Sequence, residues 1–145
     1  RVLFRSSKKD YYQKLAAGLD NVIFPGWVNQ EQIIGLMKLS QVGLAPYIST
    51  WRNEMPNKVF EYMSGELAIL SSLNKSFSIL LDKHKFGFSY DPNCCKNFTE
   101  QLLKMYHNQD QTMKMGKSAN EQFITEFRQD IIFEKAEKFF IECCK

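Results

Sequence analysis

Apolar residues along the chain fall into two kinds of run. Short blocks at residues 1–5 (RVLFR), 21–28 (NVIFPGWV), 42–47 (VGLAPY), 67–71 (LAILS) and 87–90 (GFSY) read as strands. Between them, apolar residues recur at helical spacing. Residues 8–18 form a predicted helix through Tyr12, Leu15 and Ala16, closed by Gly18. Asn29, with Gln32 three residues on, is an N-cap signature opening a helix over Ile33, Ile34, Leu36, Met37 and Leu39. A helix follows the polar loop at 48–55, and a turn or two of helix surrounds residues 77–81. From Asn97 onward the pattern is helical, with stripes at Leu102, Leu103 and Tyr106, at Phe123 and Phe127, and at Ile131, Ile132, Lys135 and Phe139. Gly116 and the Arg128-Gln129-Asp130 stretch are expected to separate these helices.

Strands alternating with helices imply a parallel sheet covered on both faces: an α/β, Rossmann-like doubly wound domain. Ligands of such folds sit at the carboxyl ends of strands. Here those ends open into residues 25–29, 46–56 and 71–76.

Composition narrows the picture. With 145 residues, 44% hydrophobic, 14% aromatic and 24% charged, the chain is that of one folded domain, not a disordered tract. A net charge of +3 suits an anionic small molecule or an acidic lipid surface, whereas no dense basic patch marks a nucleic-acid binder. No apolar run approaches the ~20 residues of a membrane span. The cysteines form two adjacent pairs, Cys94-Cys95 and Cys143-Cys144, which match no zinc spacing and read as free thiols in a reducing cytoplasm. The chain opens on Arg1 and not methionine, so it is expected to be a piece of a longer protein.

The chemistry concentrates in residues 53–72, NEMPNKVFEYMSGELAILSS. Pro56 suits the first position of a helix because its missing N–H has no partner there anyway. The amides of Asn57 and Lys58 then point out of the helix start with the positive dipole end behind them, a seat for a phosphate or diphosphate. Glu61 lies roughly 4–5 Å further along the axis at helical rise. A carboxylate set back by that distance escapes the phosphate charge and is placed to accept hydrogen bonds from the vicinal hydroxyls of a ribose. The bland reading, a surface glutamate paired with Lys58, ranks level with it on spacing alone.

The strings NVIFPGWVNQEQIIGLMKLSQVGLAPY, MPNKVFEYMSG and LAILSS resemble the C-terminal, donor-binding domain of retaining glycosyltransferases of family 4 (group 1). These are two-domain enzymes of the GT-B fold, and the likeness covers essentially the whole chain. PNKVFEYMS is its most specific part and is similar to transferases that build capsular polysaccharide, O-antigen and related surface glycans. The resemblance implies a nucleotide-diphosphate sugar as donor, no metal or other cofactor, and a glycan or lipid-linked acceptor brought by a missing N-terminal domain. It further implies a cytoplasmic location, with peripheral membrane association at the inner face of the plasma membrane. Glu61 matches the second carboxylate of the family's paired-glutamate motif, which binds the donor ribose. Met55, Pro56, Asn57 and Lys58 match the loop and helix start facing donor sugar and diphosphate. Gly26, Trp27 and Val28 match the loop that brackets the base, although a core or interface aromatic is an equal reading of Trp27.

Three departures from the family pattern stand out. The first glutamate of the pair falls at Asn53, with Glu54 the nearest acid, which leaves the donor sugar open. In SGELAILSS, Glu66 occupies a position that is commonly glycine and Gly65 comes one place early, so a changed loop path is expected; Lys75 likewise stands where an acid is common. Residues 1–4 match the second strand of the domain, so the first strand, central in the order 3-2-1-4-5-6, is expected upstream. Loss of these features also fits a non-catalytic nucleotide-binding or interaction domain, and a merely fold-level likeness is the third option. His84 and His107 read as surface residues and the methionines as core filler. Phe139 and Phe140 read either as core or as an interdomain contact. Glu134, Lys135 and Lys138 read as a solvated helix face.

Overall fold

A computed structural model describes residues 9–47 and 55–144. The chain divides into two compact units, Arg1–Ser40 and Gln41–Lys145. The strand expected at residues 1–5 lies outside the described residues.

In the first unit, α1 (Lys9–Leu15) ends where Gly18 takes a φ of 84°, the left-handed turn that glycine adopts without steric cost. Residues 21–28 alternate between exposed and half-buried positions, as a strand does, but are not assigned as a strand. This corrects the expected strand. Pro25 lacks an amide donor, and Gly26 turns the backbone to a φ of 75°. α2 (Gln30–Lys38) is opened by the expected capping box, Asn29 Oδ1 accepting from Gln32 N and Gln32 Oε1 from Asn29 N, both at 2.9 Å.

The second unit holds a parallel sheet of β1 (Val42–Ala45), β2 (Ala68–Ser71) and β3 (Gly87–Ser89) in the order β1-β2-β3, with Leu44 opposite Leu70 and Leu70 opposite Phe88. The side-chain period of two sends alternate residues to opposite faces. Ala45 and Ile69 pack with Val59 and Met63 of α3 (Asn57–Ser64) and with Phe77 and Leu81 of α4 (Lys75–His84). Val42, Leu44, Ala68, Leu70 and Phe88 pack on the other face with Phe98, Leu102 and Met105 of α5 (Cys95–His107). Burial of all four β2 residues follows from cover on both sides. The unit is thus an α/β, Rossmann-like doubly wound domain.

α6 (Gln109–Gln122) ties these layers together. Its Asn120 Nδ2 donates to Met63 O (3.3 Å) and Ser64 O (3.2 Å), its Ser118 hydroxyl to His84 O, and its Thr112 hydroxyl to Met105 O at 2.8 Å. One helix thereby satisfies terminal carbonyls of α3, α4 and α5 that have no partner within their own helices. Gly116, expected to separate helices, lies buried inside α6, where a methyl group would collide with the carbonyl oxygen of Glu66. Close approach of two backbones, not a break, is what the glycine serves there.

Other expectations shift in detail. α4 runs for ten residues, capped by Asn74 Oδ1 on Phe77 N at 3.0 Å. The buried stripe of α5 is Phe98, Leu102 and Met105, while Leu103 and Tyr106 face solvent. Phe123 and Phe127 lie in a π-helical segment, Phe123–Phe127, with the Phe127 ring edge-on to Phe60 of α3 at 5.3 Å. α7 (Gln129–Cys143) has no buried residue; Phe139 and Phe140 are exposed, and Lys138 pairs with Glu134 at 2.7 Å on the solvated face. Met63, Met105 and Met115 fill the core as expected, whereas Met113 is exposed. All four cysteines are unbridged thiols.

Candidate functional site

The site develops from the carboxyl edge of the sheet. β1 runs out at Ala45, and the chain crosses residues 46–56 before α3 carries it back, so the α3 amide end and the carboxyl ends of the strands lie at the same edge. Pro56 is the N-cap of α3 with an extended ψ of 152°, one place before the expected first helical position. The reason is local: its carbonyl already accepts from Val59 N at 2.9 Å. This leaves Asn57 and Lys58 as the first two helical residues. Their amides find no acceptor among the described residues, no side chain caps the helix start, and both residues are exposed. Met55 and Pro56 are half-buried, and Met55 packs on the core.

Glu61, one turn along, is exposed, and no ion pair joins it to Lys58 among the described residues. Its neighbours are two phenols. The Tyr62 ring lies over Gly43, where even a methyl group would collide with it, and its hydroxyl donates to Leu44 O at 3.1 Å. Burial pushes the Tyr62 phenol up to about 12, with the nearby Tyr47 and the Glu61 charge adding to the rise. The Tyr47 phenol is raised too, first by burial and then by Glu61. The carboxylate of Glu61 therefore lies within electrostatic reach of both rings while remaining open to solvent.

The strand ends are fastened by two serines. Ser71 Oγ donates to Ala45 O at 3.2 Å and accepts from Leu73 N at 3.0 Å. Ser72 Oγ accepts from Tyr47 N and donates to Tyr47 O, each at 2.8 Å. The structure thus brings Met55, Pro56, Asn57, Lys58 and Glu61 together at one helix start, beside Tyr47 and Tyr62. Asn53 and Glu54 lie outside the described residues. Gly26, Trp27 and Val28 belong to the other unit, where Trp27 is 80% exposed.

Tyr47, Tyr62 and Ser72 do not stand out in the sequence. Tyr62 reads as one more aromatic on a short helix, and Tyr47 and Ser72 meet only because β1 and β2 pair. The one available signal is position, since Tyr47 and Ser72 each lie just beyond a strand at its carboxyl end.

The doubly wound sheet, with an uncapped helix start and an acid one turn along at its carboxyl edge, defines the class as an α/β, Rossmann-like domain. The chain belongs to the glycosyl transferases group 1 family, whose model matches residues 4–108. Neither a curated protein nor a solved structure matched the chain. Membership supports glycosyl transfer as the general activity. No helix among the described residues is long and apolar enough to cross a membrane.

Proposed function

We propose that this chain is the donor-binding domain of a retaining glycosyltransferase that takes a sugar from a nucleotide-diphosphate sugar. The observation that carries the reading is the pairing, at the carboxyl edge of the sheet, of an uncapped α3 amide end with a solvent-open Glu61 one turn along. The amides of Asn57 and Lys58, with the Lys58 ammonium, receive the diphosphate. The positive helix end then stabilises the charge that grows on the diphosphate as it leaves. Glu61 accepts hydrogen bonds from the ribose hydroxyls. Met55 and Pro56 face the transferred sugar. Leaving-group charge is met by dipole and ammonium, so turnover is expected without added metal.

The acceptor is a glycan or a lipid-linked glycan presented by a second domain, in the assembly of a surface polysaccharide. The location proposed with it is the cytoplasmic face of the membrane. The same site in a non-catalytic nucleotide-binding domain is the second reading, favoured by Asn53 standing where the first acid of the pair belongs.

Titration of the full chain with UDP, GDP and ADP tests the proposal. One nucleotide is expected to bind selectively. Glu61→Ala is expected to lose roughly 2–3 kcal/mol, about 30- to 150-fold in Kd, because charge-assisted hydrogen bonds are the strong kind. Equal binding by parent and variant overturns the ribose role. Turnover of the matching nucleotide sugar separates enzyme from binder.

A further inference from the structure

The β1–β2 ladder ends sooner than the contact between the two segments does. The last registered pair is Ala45 with Ser71, and Ser72 N adds a bond to Ala45 O at 3.2 Å. Pro46 comes next and has no amide to offer. At Tyr47, where a third strand residue would be needed opposite, the Ser72 side chain takes over. Its single oxygen accepts from Tyr47 N and donates to Tyr47 O, both at 2.8 Å. Ser72 is only 6% exposed, so water cannot readily replace these bonds. Tyr47 is the last described residue before the crossing to Pro56 and Asn57. Its ring packs on the same core cluster as Tyr62 and Met55.

We infer that Ser72 is a positioning residue for the donor site, its hydroxyl holding the Tyr47 backbone and thereby the Tyr47 ring that packs with Tyr62 next to Glu61. The inference rests on the nucleotide-sugar reading above. Ser72 does not touch the donor; it fixes where the chain leaves β1 and so where the Tyr47 side chain sits. The rise of the Tyr47 phenol through the Glu61 charge agrees with that proximity.

The test uses the full chain as parent, Ser72→Ala, Ser72→Thr, Glu61→Gln and the double variant Ser72→Ala/Glu61→Gln. Each is titrated with UDP, GDP and ADP, and amide exchange at Tyr47 is followed by NMR. Ser72→Ala is expected to weaken binding of the preferred nucleotide about tenfold and to speed exchange at Tyr47 by a similar factor, while exchange at Ile69 is unchanged. Ser72→Thr keeps the hydroxyl and is expected to bind within about threefold of the parent. In the double variant the two losses are expected to combine to less than their product, as for neighbouring sites that are coupled. Four results overturn the inference: Ser72→Ala binding within about twofold of the parent, Tyr47 exchange unmoved, Ser72→Thr as weak as Ser72→Ala, or losses that simply multiply. If the parent binds none of the three nucleotides, the donor-site reading falls and this inference with it. If the parent binds and Ser72→Ala binds equally well, only the role of Ser72 falls.

Discussion

Tyr62 and Glu66 each adopt a state that their residue type does not favour in isolation. Tyr62 holds its proton in the folded chain up to about 12, chiefly through burial, against an ordinary value of 10.0. The unfolded chain loses that proton first, so between about pH 10 and 12 it binds fewer protons than the native state and stability falls as pH rises. Denaturant unfolding across this window is expected to show a downward slope of up to about 1.4 kcal/mol per pH unit from this one group. Tyr62→Phe is expected to flatten the slope, and an unchanged slope overturns the assignment. Glu66 carries a φ of 57°, while Gly65 has an ordinary φ of −89°. The glutamate and not the neighbouring glycine therefore bears the left-handed strain. Glu66→Gly is expected to stabilise the fold by about 0.5–1 kcal/mol, seen as a rise in Tm of about 2–4 °C. A fall in Tm counts against strain at this residue.

Among the elements, α6 and α3 show how differently helices use their residues. α6 buries Thr112, Met115, Gly116 and Ala119 and caps three other helices, so it packs through small and polar side chains instead of a broad apolar stripe. Gly116→Ala forces a methyl group against the Glu66 carbonyl, which is backbone and yields little. The better helix propensity of alanine, about 1 kcal/mol, works in the opposite direction. Overpacking is expected to prevail, with a net loss of about 1–2 kcal/mol in denaturant unfolding. A stabilised variant is the contrary result. α3 buries Val59 and Met63, leaves Asn57, Lys58 and Glu61 in solvent, and leans Phe60 on Phe127 of the π-helical segment. In the proposed function, that open start is where the diphosphate is seated.

For the molecule as a whole, binding and stability are linked. A ligand that binds only the folded chain stabilises it by about 2.7 kcal/mol at a hundredfold excess over Kd. The nucleotide that binds best in titration is therefore expected to raise Tm measurably, and Glu61→Ala at the same ligand concentration is expected to remove most of that rise. A shift that survives the substitution places the nucleotide elsewhere.

The sequence by itself determined what depends on neighbours along the chain. The capping box at Asn29, the three paired strands, and the order of strands and helices all follow from spacing within a few residues. The helix start at Asn57-Lys58 and the setback of Glu61 follow in the same way, which is why the part of the candidate site on α3 was legible in the sequence. Tertiary structure decided what depends on partners distant in the chain. Residues 21–28 alternate like a strand but are not assigned as one; Gly116 sits inside a helix because Glu66 presses against it; Ser72 meets Tyr47 only once β1 and β2 lie side by side. The physical reason is the range of the forces that choose. Caps and hydrophobic period act over one or two turns of chain, whereas strand pairing, backbone contact and burial are set by surfaces that only folding brings together.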